Sequence, residues 1–342
     1  MTPRPRAKPT PVIRVGGAAA LLPLLSSLGH DVEALTREVG LSSGLFRDPD
    51  HVVPFAALCR LVKLAAERTG LGDLGLRACT DIGLGSLGTV GYLVANSETV
   101  ARGLAALETF LYVHDQGATP VVAHDGVLAH LGYEVLQPEL AGAEQVTFGA
   151  LAIAANIMRQ LCGRDFRLLH VSILYPAPAD TSRFRRFFDA PVRFDAERNA
   201  IAFDARWLAW PISNADPYLR SVLSERIRGE LASTGETAEA RIRRVVRSLV
   251  AGGRFAVDDA ATAFGVNRRT LARRLGERGT TFRELLDEAR HEEARRLLAS
   301  SDSPVADIAD RLGYSDPTSF ARAFARWAGI SPQQWRRRHC GI

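Results

Sequence analysis

The side chains with the longest chemical reach in this chain are arginines gathered near its end. Asn267, Arg268, Arg269, Ala272 and Arg273 fall at spacings that a helix would turn to one side. A guanidinium can fork onto a guanine edge and an asparagine amide onto an adenine edge, so this group predicts hydrogen-bonded reading of bases. A second group follows 49 residues later: Asp316, Pro317, Thr318, Ala321 and Arg322. It has fewer long donors, and Pro317, Thr318 and Arg322 predict phosphate contact with some apolar touch to thymine methyls. Arg274, Arg278, Ser319 and Arg326 are candidates for phosphate oxygens. Most arginines on such a face meet phosphate or water rather than a base.

The elements that must position these side chains come from an internal repeat. Ala260, Ala261, Phe264 and Gly265 recur 48 residues later as Ile308, Ala309, Leu312 and Gly313, and Leu271, Arg273 and Leu275 recur 49 residues later as Phe320, Arg322 and Phe324. Each copy reads as a helix-turn-helix. A short helix ends on a glycine, Gly265 or Gly313, that accepts a left-handed backbone at a sharp turn. An apolar residue follows, Val266 or Tyr314. The second helix then anchors its inner face through an i, i+4 pair, Leu271/Leu275 or Phe320/Phe324. Its outer face is free to enter a major groove. Between the copies, Phe282–Leu298 reads as one helix. At ~1.5 Å per residue it would hold the two reading heads ~25 Å apart, against ~34 Å between successive groove faces. One glycine-turned helical hairpin is a weak signal; two in register on a basic module point to DNA.

That module is basic by concentration. Residues 241–342 carry 20 arginines and no lysine against 12 acidic residues, a net +8; the rest of the chain holds 23 basic and 26 acidic residues, a net −3. A basic module favours a polyanion. An arginine-preferring genome would explain why Lys8 and Lys63 are the only lysines, but not the clustering. The four cysteines, Cys59, Cys79, Cys162 and Cys340, show no CxxC spacing, which fits a reducing cytoplasm rather than a zinc site or disulfide framework. No apolar run reaches the length of a membrane span. The apolar stretch 18–25 reads as a buried helix rather than a signal core.

The expected organisation is a flexible tail over 1–17, a sensing or dimerisation domain over 18–215, a helical linker over 216–240 and a DNA-binding domain over 241–342. The expected fold class is an α+β N-terminal sensor, helix-rich with a small sheet, followed by an all-α domain of two helix-turn-helix units joined by a long helix. Helices are expected over 30–40, 54–70, 97–112 with Ser97 as N-cap, and 141–162. Residues 119–123 and 127–135 form a hairpin across His124-Asp125-Gly126. Residues 168–175 form a strand and 181–188 a short helix. Residues 192–194 and 200–203 are expected to pair as a second hairpin.

The C-terminal module resembles the DNA-binding domain of the AraC/XylS family of bacterial regulators. The resemblance covers about 245–338 and is carried by Ile308-Ala309, Gly313-Tyr314, Phe320, Phe324, Gly329-Ile330-Ser331-Pro332 and Trp335-Arg336. Arg290 and Leu297-Leu298 fit the family's linking helix. It implies that the first recognition helix makes base contacts, which falls on Asn267, Arg268, Arg269 and Arg273, and that the second uses Pro317, Thr318 and Arg322. Pro317 stands where a polar residue is common. The body is similar to a subgroup with a so-called arabinose-binding N-terminal domain, found in ornithine and quorum-sensing-linked regulators. The match runs over roughly 20–215, through Leu45–Asp50, Gly70–Leu76, Leu84–Gly88 and Phe184–Val192. This implies a sensor that is not a double-stranded β-helix, and it does not imply arabinose. An Arg-Tyr pair common in the family is replaced after Glu108 by Thr109-Phe110 and Tyr112.

Other chemistry has little support. Gly83-Leu84-Gly85-Ser86-Leu87-Gly88 satisfies GxGxxG but follows no hydrophobic strand. His114, His124 and His130 lack carboxylates at ligand spacing, so no metal is expected. Phe184, Phe187 and Phe188 read as core, and no cofactor is implied. The leading reading is a cytoplasmic, non-enzymatic, one-component regulator that binds promoter DNA under control of a small-molecule effector. A homodimer and contact with RNA polymerase are further partners such a protein could have; the effector site is unassigned. The alternative is a DNA-modifying or repair enzyme with a DNA-binding tail, which would need a reactive cysteine.

Overall fold

The computed structural model describes residues 10–213, 215–233, 238–264, 266–300 and 303–340. The chain forms two compact units. One comprises the residues up to Pro120 with His130–Glu230, the other Val121–Ala129 with Leu231–Ile342.

The first unit begins earlier than the sequence suggests. β1 (Val12–Arg14) pairs antiparallel with the later strand β2 (Val52–Pro54), placing Ile13 opposite Val53 with both buried. This corrects the expected tail over 1–17: the β-branched Val12 and Ile13 favour a strand, and Val15 behind them is fully buried. Residues 1–9 lie outside the described residues. α1 (Leu21–Ser27) buries Leu21, Leu22 and Leu25. α2 (Val32–Glu38) is capped by Asp31, whose carboxylate accepts from the Ala34 amide. α3 (Phe55–Thr69) buries Phe55, Leu58, Leu61, Val62 and Ala65 at helical spacing and stops at Gly70. α4 (Leu74–Ala78) and α5 (Thr89–Ala95) precede α6 (Val100–Phe110), whose Leu104 and Leu107 are buried. The cap of α6 is Thr99, which accepts from the Arg102 amide. Ser97, expected in that role, instead donates its hydroxyl to the Leu93 carbonyl.

β3 (Ala118–His124) and β4 (Leu128–Val135) form the expected hairpin, with the Asp125 carboxylate accepting from the Val127 and Leu128 amides in the turn. α7 (Ala143–Cys162) is the long helix of this unit. It is followed by β5 (His170–Ser172), α8 (Ser182–Phe188), β6 (Val192–Arg193) and β7 (Ala200–Asp204). The sheet order is β3-β4-β7-β5-β6, so the second expected hairpin does not form. β6 pairs parallel with β5 after the α8 crossover, while β7 pairs antiparallel on the other side of β5. Ala200, Ile201, Ala202 and Phe203 are all buried, the signature of a central strand covered on both faces. α9 (Pro217–Ser233) follows, with Ile227 buried. Within this unit Arg14 reaches Asp50 at 2.7 Å and Glu230 of α9 at 3.0 Å.

From Leu231 on, the second unit is helical. α10 (Ala238–Ala251), α11 (Val257–Ala263), α12 (Arg268–Gly276), α13 (Phe282–Ser300), α14 (Val305–Arg311), α15 (Pro317–Ala328) and α16 (Pro332–Cys340) surround one core. α10 feeds it Ile242, Val245, Val246, Leu249 and Val250, and α13 adds Leu285, Ala289, Ala294, Leu297 and Leu298. Arg243 pairs with Glu239 and Glu288, and Arg247 with Glu292 at 2.6 Å, tying α10 to α13. Among the described residues no helix is long and apolar enough to cross a membrane.

Candidate nucleic-acid interface and effector cavity

The two recognition helices are held by buried apolar pairs. Leu271 and Leu275 of α12 and Phe320 and Phe324 of α15 are each at most 2% exposed. Phe320 packs at a tilt against Tyr314 and Phe324, with centroids 5.6 and 5.9 Å away. Their burial turns the opposite faces outward. The expected turn glycine Gly265 lies outside the described residues. Its counterpart Gly313 has φ 72°, and a Cβ there would meet the Phe255 ring at 2.4 Å. Arg290 of α13 lies between the rings of Phe255 and Tyr314, 4.7 and 5.0 Å from their centroids.

The outward residues fall into two classes. Arg269 and Arg322 are exposed and, among the described residues, carry no ion pair. Arg274, Pro317 and Thr318 are exposed too. The others already have internal work. Asn267 is the N-cap of α12, its side-chain oxygen accepting from the Thr270 amide at 2.8 Å, so that oxygen is committed. Arg268 pairs with Asp258 at 3.3 Å and Arg273 with Glu277 at 2.7 Å. Arg278 donates to the Arg274 carbonyl, and Arg326 pairs with Asp287 at 3.4 Å. Exposed pairs of this kind are weak and can exchange partners. Asp316 caps α15, accepting from the Ser319 amide and hydroxyl at 2.8 and 2.7 Å. These bonds hold its carboxyl below the usual range and occupy the hydroxyl expected at phosphate.

Arg283 was not singled out in the sequence, and Arg290 was placed only on the linking helix, not beside the recognition helix. With Arg322, Arg326, Tyr314 and Ser319 they line a cleft of about 400 Å³ beside α15. Their i, i+7 spacing on α13 was the available signal. The motif ending the repeat has a structural role: Ser331 and Gln334 form a reciprocal capping box on α16, with Pro332 buried at its first turn. Trp335 is buried and stacks on His339 at 4.0 Å.

The first unit contains a cavity of about 120 Å³ walled by Leu58, Val62, Leu107, Leu131, Ile153 and Ile157 among others. It lies between α3, α6, α7 and β4. α4 approaches α7 so closely that a Cβ on Gly75 would lie 1.9 Å from the Gln145 carbonyl oxygen. Four polar side chains reach the lining: His114, Asp115, Tyr133 and Gln145. Gln145 is spent on the backbone, donating to the Gly72 carbonyl and accepting from the Gly75 amide, both at 2.9 Å. Asp115 accepts from the Tyr133 hydroxyl at 2.5 Å and the Gly117 amide at 2.8 Å. Burial, only partly offset by these bonds, pushes the Asp115 carboxyl up to about 6. Burial, aided by Arg14, pushes His114 down to about 4, so its imidazole is neutral near pH 7. Nδ1 of His114 is buried with no hydrogen-bond partner. Sequence alone did not reveal this site, because its walls come from segments far apart in the chain.

The features set aside earlier take structural places. The Gly83–Gly88 segment is a 3-10 turn at Leu84–Leu87 leading into α5, with α4 rather than a strand before it. Phe184 and Phe188 are fully buried, as core. Among the described residues no three His, Cys, Asp or Glu side chains group as a metal site.

Comparison with known proteins bears on both units. Residues 29–212 match the family model described as the arabinose-binding domain of AraC transcription regulator, N-term, and residues 260–338 match a helix-turn-helix domain. The chain is 28% identical to the HTH-type transcriptional regulator VirS of Mycobacterium tuberculosis, over 92% of this chain and 93% of the relative. It is 26% identical to the ornithine utilization regulator of Pseudomonas aeruginosa, over 95% and 96%. Among solved structures, the transcriptional regulator CdpR of Pseudomonas aeruginosa aligns over 80% of this chain and 91% of its own, with 22% identity and a TM-score of 0.41. The relatives are named as transcriptional regulators, and the family match spans more than half of the residues. The chain belongs to the AraC family, as a DNA-binding transcriptional regulator with an arabinose-binding-type N-terminal domain.

Proposed function

We propose that this regulator works as a one-component switch. Residues 18–215, extended by the strand at 12–14, take a small-molecule effector; 216–240 connect; and 241–342 read a promoter through α12 and α15. The observation that carries the reading is the pair of helices with buried inner faces and arginine-bearing outer faces within residues 241–342, a stretch of net +8. On this reading Arg269 and Arg273 meet base edges, with Arg268 leaving Asp258 to join them. Asn267 retains only its amide donor for a base. Pro317, Thr318 and Arg322 act from α15. Arg274, Arg278 and Arg326 meet phosphate, and Ser319 serves mainly its cap.

The protein is read as non-enzymatic and cytoplasmic, where a promoter is found. A repair activity would need an accessible thiolate, and Cys59, Cys79 and Cys162 are buried with thiols pushed up to about 12. Homodimerisation and contact with RNA polymerase complete the reading; sedimentation of the full chain, alone and with polymerase, tests each. The central test is a gel shift of the full chain on DNA upstream of its own gene against random duplex at ~0.15 M salt, where non-specific binding is weak. Equal affinity for the two would defeat sequence-specific binding.

A further inference from the structure

The cavity in the first unit has a chemistry narrower than "small molecule". Its walls are almost wholly aliphatic. Of the four polar side chains on them, three are engaged: Gln145 with Gly72 and Gly75, and Asp115 with Tyr133 and Gly117. The fourth, His114, is 5% exposed and leaves Nδ1 without a partner. Buried polar atoms are nearly always bonded, and an exception marks a missing partner. A sugar would bring four or more hydroxyls to a lining on which His114 Nδ1 is the one buried side-chain atom with no partner at all, and each unmatched hydroxyl would weaken binding. A free amino acid would bring two charges. The size is limiting as well: about 120 Å³ is close to the ~150 Å³ apolar cavity that admits one benzene ring.

We propose that this cavity binds the effector, and that the effector is a small apolar molecule, one ring or a short hydrocarbon chain, with a single hydrogen-bonding head group that pairs with His114 Nδ1. This rests on the effector reading above. It separates the cavity's ligand from the sugar in the domain's family description and from the ornithine in one relative's name. α7 supplies a wall through Val146, Ala150, Ile153 and Ala154, so side-chain volume can be added from Ala150 or Ala154.

The experiment uses the full chain and five probes: benzyl alcohol, 1-hexanol, toluene, L-arabinose and L-ornithine, followed by titration calorimetry and melting temperature. Expected are saturable one-site binding of the two alcohols and a raised melting temperature, with no shift from arabinose or ornithine. Ala150→Phe should weaken alcohol binding at least tenfold; Ala154→Leu gives the same reading if the first variant fails to fold. His114→Phe should weaken benzyl alcohol about fivefold or more while changing toluene less than twofold, which a purely structural role for His114 would not produce. The proposal is overturned if neither alcohol binds, if both filling variants bind as the parent does, or if arabinose or ornithine gives a shift that the filling variants abolish. Alcohol binding that responds to the variants but leaves promoter affinity and transcription unchanged would uphold the ligand class and defeat the effector reading, so the two failures are distinguishable.

Discussion

Gly313→Ala is the substitution whose cost the structure specifies most closely. Gly313 has φ 72° and Gly329, at the end of α15, has φ 74°. Both variants therefore incur the left-handed penalty of an L side chain, about 1–2 kcal/mol. They differ in surroundings. A Cβ at 313 would lie 2.4 Å from the Phe255 ring, whereas nothing lies within 4 Å of one at 329. The ring cannot retreat freely, since Arg290 stacks on it. Overpacking of this kind adds about 1–3 kcal/mol, and any loss of the cation–π contact about 0.5–1 kcal/mol more. Gly313→Ala should thus destabilise α15 by about 2–6 kcal/mol and Gly329→Ala by about 1–2 kcal/mol. Hydrogen exchange of the α15 amides in the full chain resolves local stability by element. Equal losses in the two variants would refute the clash argument and leave backbone conformation as the sole cause.

Four further expectations follow from the same geometry. Asn267→Ser keeps a capping oxygen but removes the amide donor, so unchanged promoter affinity would confine Asn267 to its cap, while a loss of about 1–3 kcal/mol at one base pair would make it a reader. Arg269→Ala should cost about 1–3 kcal/mol at a base pair if it reads a base, or weaken all duplexes alike and lower the salt slope by about one if it meets phosphate. For pH, Asp115 stands at about 6, above its usual 3.8, so its contribution to stability is present below pH 3.8 and is lost as pH rises to 6. His114, at about 4 against 6.5, adds stability above pH 6.5 that is lost as pH falls to 4. The two oppose each other: wild type should vary little between pH 4 and 6.5, His114→Asn should gain stability on acidification and Asp115→Asn should lose it, as denaturant midpoints will show. Finally, in a Cys340→Ser background the native chain should resist a thiol reagent at pH 8 until unfolded; rapid labelling of Cys59, Cys79 or Cys162 would contradict their burial.

The second unit was the more legible half. The repeat located α14 and α15 through Ile308, Gly313 and Phe320, because an anchor pair four residues apart and a left-handed glycine are local requirements that leave local marks. The body was legible in its helices and first hairpin but not in its pairing. Val192 and Ala200 lie close in sequence, which suggested a hairpin, yet β5 competes successfully for the space between them because Val171 needs neighbours on both sides. Ser97 and Thr99 are equivalent as residue types, and only the end of α5, which takes the Ser97 hydroxyl, decides between them. The DNA-facing candidates were found by type, but not all their internal partners: Glu277 sits four residues after Arg273 and follows from the i, i+4 rule, whereas Asp258 and Asp287 come from other helices, which sequence spacing does not show. The cavity left no mark because residues as distant as Ile13 and Ile157 enclose it.

The placement of Arg290 between Phe255 and Tyr314 has a consequence for the promoter. Phe255 precedes the first reading unit and Tyr314 belongs to the turn of the second, so one guanidinium locks both to the same rod. That contact and the shared apolar core oppose independent swivelling of the two heads. Inserting one base pair between their sub-sites rotates one against the other by about 34°, which a hinged protein would absorb and this one must resist. Its targets should therefore accept drift in individual letters more readily than any change in the length of the spacer.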